Sequence, residues 1–153
     1  MTLLEQLAAR AEIMELKARY CRLLDTRQWE LWGELFTSDI AVDVSGDVTP
    51  DMGIAVFSGR ALMVEQTRKL IDTSESVHHV HGLELVFDDD DNAAGIWSMY
   101  DRIVFPPGSL MPFRAMTAHG FYHERYRRVA GVWRIAALRL QRLTRAFEPA
   151  EVH

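Results

Sequence analysis

Three histidines, His78, His79 and His81, crowd the start of one β-like run, and each is a candidate acid or base near neutral pH. Strand alternation puts His79 and His81 on one face and His78 on the other. Leu83, Leu85 and Phe87 share parity with His79 and His81, but a bulge near Gly82 would swap that assignment. Spacing therefore leaves open which imidazole points inward, and a hydrogen-bonded structural histidine is the plain alternative for each. His79, His81 and Glu84, with His119 or His123, loosely match a cupin metal set. Cupins are all-β, whereas the first part of this chain reads as helical, so no metal site is expected.

Asp25 falls at the C-terminal end of a helical segment, where the negative end of the helix dipole disfavours a carboxylate. Asp25-Thr26-Arg27-Gln28 also reads as a capping box for a following helix. Asp101 shares strand parity with Trp97, Met99 and Ile103, and Arg142 shares it with Ala136, Leu138 and Leu140. A charge on an apolar strand face needs a partner, so these two could pair across a sheet, as a site or as a structural salt bridge. Tyr20 lies on an apolar helix stripe, either as core packing or as a hydroxyl able to donate to an oxyanion. His119 and His123 share a face with Phe121.

The elements that must position these groups follow from pattern. Thr2-Leu3-Leu4-Glu5 is a capping box, and Ile13, Leu16, Tyr20 and Leu23 or Leu24 recur at helical spacing, predicting a helix over about 3–24. A short helix through Trp29, Trp32, Leu35 and Phe36 follows, then a strand over 40–45, a loop over 46–57 and a third helix over 58–71. Long β runs occupy 77–87, 93–105, 116–129 and 133–143, with a turn at 88–92, a loop from Pro106 to Phe113 and a hairpin turn at Ala130-Gly131. Helices followed by antiparallel strands define an α+β fold: one curved sheet facing three helices, with a pocket between them.

The 153 residues fit one domain, 1–153. A net charge of −5 argues against nucleic acid, which needs a basic patch, and the one basic run is Arg125, Arg127 and Arg128. A single cysteine, Cys21, excludes an intrachain disulfide and suggests a reducing, cytoplasmic setting. The N-terminus does not read as a signal peptide, and no apolar run is long enough to span a membrane. No phosphate-binding glycine loop is present.

Three stretches together resemble the SnoaL-like, nuclear transport factor 2-like superfamily: Leu16-Lys17-Ala18-Arg19-Tyr20-Cys21-Arg22-Leu23-Leu24-Asp25 followed by Trp29, Val77-His78-His79-Val80-His81, and Gly131-Val132-Trp133-Arg134-Ile135. The resemblance implies a cone-shaped, cystatin-like α+β barrel with three N-terminal helices on a curved, mostly antiparallel sheet. Scytalone dehydratase, hexachlorocyclohexane dehydrochlorinase and bile acid 7α-dehydratase within that superfamily share an Asp–His pair, which Asp25 and His78 match. Tyr20, Asp101 and Arg142 match three further positions of the bile acid enzyme. The chain departs from scytalone dehydratase at Leu24 and Val44, where that enzyme has tyrosines, so a scytalone-type substrate is not expected.

What the resemblance implies is a cofactor-independent lyase of dehydratase type acting on a small hydrophobic, hydroxylated ring compound. His78 would remove a proton, Asp25 would hold its other ring nitrogen, and Tyr20 would bind a carbonyl or the leaving oxygen. Asp101, Arg142 and His119 would contact substrate. Rival readings are an isomerase or cyclase using the same base, a non-catalytic ligand-binding or assembly protein, and a small subunit of a ring-hydroxylating dioxygenase. A homodimer or homotrimer is expected, joined through an outer sheet face carrying Ile135 and Leu143.

Overall fold

A computed structural model describes residues 1–150 of the chain; the last three residues of the domain expected over 1–153 lie outside the described residues. Helix α1 (Leu3–Asp25) opens with the expected capping box: Glu5 N–H donates to Thr2 Oγ1, and Thr2 N–H donates to the Glu5 carboxylate. Its buried stripe, Ala9, Ile13, Leu16, Tyr20 and Leu24, recurs every three to four residues. Helix α2 (Trp29–Gly33) is shorter than its apolar pattern suggests. Leu35 and Phe36 are buried where the chain leaves the helix and enters strand β1 (Phe36–Asp43), not on a helical face. Strand β2 (Val56–Ser58) forms where a loop was expected, pairing antiparallel with β1. Helix α3 (Arg60–Ile71) begins after Gly59, whose φ of 109° marks the turn out of β2.

Strands β3 (Glu75–Phe87), β4 (Asn92–Val104), β5 (Phe113–Val129) and β6 (Val132–Pro149) form an antiparallel meander. The last two run longer than periodicity indicates. Strand β1 joins the meander in parallel beside β6, giving one open sheet of order β2-β1-β6-β5-β4-β3. The architecture is α+β: N-terminal helices packed on a curved, open, mostly antiparallel six-stranded sheet. The core lies between them and unites Trp32, Phe36, Met99, Tyr126 and Ile135 with the α1 stripe.

Two irregularities decide which residues face that core. In β3 the register shifts between His81 and Glu84, and Gly82 takes a φ of 61°. The shift turns Leu83, Leu85 and Phe87 to the same side as His78, leaving His79 and His81 exposed. In β6 the register shifts at Ala136, between the pairs Arg125–Ala137 and Tyr126–Ile135. Ile135 is consequently 0% exposed, which corrects its expected place on the outer face, while Leu143 is 60% exposed, as that face requires.

Candidate active site

Asp25 is the last residue of α1, and Arg27, with a φ of 58°, turns the chain sharply after it. Its carboxylate does not cap α2, whose first turn has Gln28 at its head and no side-chain cap. Instead it reaches β3. Because β3 is an edge strand, alternate N–H groups along it lack a sheet partner. His78 N–H donates to Asp25 Oδ2 at 2.7 Å, and Ser76 Oγ donates to Oδ1 at 2.8 Å. His78 Nδ1 lies 2.6 Å from the same Oδ1. Arg27 braces the arrangement by donating to Ser76 Oγ, Ser74 O and Leu24 O. The capping box is overridden because β3 offers this carboxylate three donors at once.

Burial pulls the Asp25 carboxyl up, but the hydrogen bonds and charge of His78, with the bond from Ser76, outweigh it, so it titrates below its ordinary value of 3.8. An ionised Asp25 accepts from Nδ1–H, which assigns the lone pair of a neutral His78 to Nε2. That nitrogen lies 3.7 Å from Asp101 Oδ2, directly across the β3–β4 pair. His78 therefore sits between two carboxylates, one fixing its tautomer and one able to stabilise a proton taken up at Nε2.

Asp101 is held in turn by Arg142, whose Nη1 and Nη2 donate to its two oxygens at 3.0 and 2.7 Å. This is the cross-sheet pair that the strand parities suggested. The opposite edge of the same guanidinium is also occupied: Nε and Nη2 donate to Asp47 at 2.9 and 2.6 Å. Burial alone would lower the Arg142 pKa, but the bonds and charges of Asp47 and Asp101 raise it well above the ordinary guanidinium value.

His78, Asp101, Arg142, Asp47 and Tyr20 all line one cavity of about 520 Å³ between helices and sheet. Its remaining wall is mostly apolar, including Leu24, Met63, Ile103, Phe105 and Met116. The Tyr20 ring packs against Trp32, Phe36 and Tyr122. Burial pushes the phenols of Tyr20 and Tyr122 well above their ordinary range, so both remain protonated.

His119 is not part of this group. On β5 the even-numbered residues Ala118, Gly120, Tyr122 and Glu124 face the core, which puts His119 on the outer surface. There its Nδ1 lies 3.2 Å from Thr144 Oγ1 and its ring packs on Tyr100. Its expected contact with substrate is corrected by strand alternation. His79 also lies outside, stacked on Tyr100, and His123 meets Gln141. Among the described residues, no three His, Cys, Asp or Glu side chains converge as a metal site.

Several contributors escape a reading of the sequence. Asp47 lies in a segment that reads only as loop, Ser76 carries no motif, and Arg27 reads only as an interior position of a capping box. Lys17 did carry a signal, a charge on the apolar stripe of α1. Its Nζ donates to Glu124 Oε1 at 2.5 Å, with both side chains fully buried. Glu124 Oε2 accepts from Tyr126, whose hydroxyl accepts from Trp97. The Lys17 ammonium lies 3.7 Å from the ring centroids of both Tyr20 and Tyr122, directly behind two residues of the cavity wall.

The SnoaL-like domain family matches residues 5–139, and the chain belongs to that family. Solved structures share the fold over most of their length. A hexachlorocyclohexane dehydrochlorinase from Novosphingobium barchaimii is 21% identical, covers 96% of this chain and 93% of its own, and has a TM-score of 0.76. A protein of unknown function from Mycobacterium tuberculosis is 26% identical, with coverage of 93% and 76% and a TM-score of 0.73. A protein from Novosphingobium aromaticivorans provisionally assigned as a scytalone dehydratase is 16% identical, with coverage of 97% and 92% and a TM-score of 0.74.

Proposed function

We propose that the protein is a cofactor-independent lyase catalysing a dehydratase-type elimination on a small, hydrophobic, hydroxylated ring compound. The observation that carries this reading is the 2.6 Å Asp25–His78 contact at the wall of a largely apolar cavity, with His78 Nε2 left to act as base. Structural likeness to a dehydrochlorinase agrees with elimination, although the fold hosts many reactions.

In this reaction His78 Nε2 takes a proton from a carbon beside an activating carbonyl. The C–H electron pair forms the new double bond, the C–O bond to the hydroxyl breaks, and water leaves carrying a proton returned by the imidazolium. Asp25 orients the ring and, with Asp101, stabilises its charged form. Tyr20, protonated and in the cavity wall, donates to the carbonyl or the departing oxygen. Arg142 holds Asp101 in place through both of its carboxyl oxygens. The buried free thiol of Cys21 agrees with a reducing, cytoplasmic location, and among the described residues no helix is long and apolar enough to cross a membrane.

The test is a panel of β-hydroxy ketones and hydroxysteroids followed by mass spectrometry, with His78→Ala and Asp25→Asn as controls. Loss of water that requires both residues supports the reading. A product of unchanged mass that still requires His78 makes the protein an isomerase, and tight binding without turnover makes it a binding protein.

A further inference from the structure

A guanidinium has five N–H donors arranged as two edges, each able to grip a carboxylate. In Arg142 all five are taken. The Nη1–Nη2 edge holds Asp101, and the remaining Nη1 hydrogen faces Met99 Sδ at 3.1 Å. The Nε–Nη2 edge holds Asp47, with contacts of 2.9, 3.0 and 2.6 Å. Asp101 belongs to β4 and stands beside His78, so its bond serves the reacting group. Asp47 comes from the segment joining β1 to β2 and touches neither His78 nor Asp25 in any contact described above. It nevertheless lines the cavity together with Arg142 and occupies the second edge of that buried cation.

Charge in the lining runs the same way. Asp47, Asp51 and Asp101 stand against Arg142 and Arg145. Arg145 is a rim residue, 40% exposed, whose Nη1 donates to Gly46 O and lies 3.8 Å from Asp47, and its guanidinium stacks on Phe147. To reach Arg142, a ligand carboxylate would have to displace Asp47 or lie against it in a largely apolar cavity, where like charges repel strongly.

We propose that Asp47 is a specificity-determining residue that closes the free edge of Arg142 against anions, so that the cavity selects a ring compound uncharged at its polar end. This rests on the cavity being the substrate site proposed above, and not on the reaction being elimination. A hydroxyl or ketone can accept from the protonated phenols, and a hydroxyl can donate to Nε2, without disturbing the clamp, whereas a carboxylate there meets the like charge of the aspartates in the lining.

The experiment measures binding alone, by quenching of tryptophan fluorescence, with the matched probes 2-naphthoate and 2-naphthamide. The proteins are wild type, Asp47→Ala and Asp47→Ala/Arg142→Met, each checked for a native circular dichroism spectrum. Asp47→Ala is expected to bind 2-naphthoate at least tenfold more tightly than wild type does, with 2-naphthamide affinity changed by less than about threefold. The gain is expected to vanish in the double variant, because the freed guanidinium edge is its source. Three results overturn the proposal: no gain in Asp47→Ala, a gain that persists without Arg142, or wild type binding the acid as tightly as the amide. None of these readouts depends on turnover, so the elimination reading can fail while this one stands, and the reverse.

Discussion

At residue scale, Asp25 couples chemistry to stability. Its folded pKa lies below the ordinary 3.8, so its ionised form favours the fold. That contribution is fully present above the unfolded value and is lost as pH falls through the folded one. Asp25→Asn lacks it. The stability gap between wild type and Asp25→Asn, read from urea midpoints, is therefore expected to narrow as pH falls below about 3.8. A gap that fails to narrow there would contradict the Asp25–His78 geometry. Turnover in Asp25→Asn is expected to fall by about 10²–10⁴, the range for a disabled general base. Lys17 and Glu124 allow a different test. Removing one partner of a fully buried ion pair leaves an uncompensated charge, so Lys17→Met is expected to cost about 3–5 kcal/mol. Lys17→Met/Glu124→Gln removes both charges and keeps an acceptor for Tyr126, and should recover most of that loss in urea titrations. Equal losses in the single and double variants would show that packing, not charge, sets the cost.

At element scale, bulges choose which side chains enter the cavity. Gly120 sits where the β5–β6 register shifts, and a Cβ there would lie 1.9 Å from Gln141 O and 3.0 Å from Arg142 Cα. Only glycine permits that approach, and the approach sets the strand that carries the Asp47–Arg142–Asp101 clamp. Gly120→Ala is expected to destabilise by about 3 kcal/mol or more, since backbone and not a flexible side chain must move. Thermal unfolding measures this, and a change below about 1 kcal/mol would mean that β6 can slide. The same irregularities explain what the sequence revealed. Helix α1, the meander and its turns were legible because apolar periodicity and turn residues report local structure directly. The apolar surroundings of Asp101 and Arg142 were legible because charge on such a face demands a partner. Parity alone did not pick out the inward histidine, because the bulge at Gly82 reverses parity between His78 and Leu83; the family resemblance was what pointed to His78. Ile135 was misplaced because the shift at Ala136 does the same in β6, and glycine-free bulges leave little trace in sequence. Asp47 was invisible because its partner is 95 residues away and no local pattern joins them.

At the scale of the whole molecule, the two faces of the sheet differ in what covers them. Helices and core cover the inner face, while the outer face carries a second apolar groove of about 590 Å³ crossed by Val56, Val86, Ala94, Ile96 and Ala137. Val56 and Val86 are 64% and 66% exposed. Charges of both signs border the groove, Asp43 and Glu84 beside Arg125 and Arg139, so a neighbouring copy meets both signs across the contact. The basic run is spent on ion pairs and not left free for polyanions: Arg125 with Asp88, Arg127 with Asp39, and Arg128 with Asp91. An exposed apolar sheet face of this kind is stabilised by association, and we propose that the protein is a homodimer or homotrimer through it. A stable assembly needs roughly 1,000 Å² or more of buried surface, which a six-stranded sheet face can supply and an isolated groove cannot, so contacts must spread beyond these five residues. Light scattering at micromolar concentration should give two or three times the chain mass. Val86→Asp places an unpaired charge within the contact without touching the core, since Val86 points outward. It is expected to shift the protein toward monomer while leaving Asp25, His78 and the cavity, all on the other side of the sheet, able to bind an uncharged ring compound. A wild-type monomer at that concentration, or a Val86→Asp assembly indistinguishable from wild type, would move the interface elsewhere or remove it.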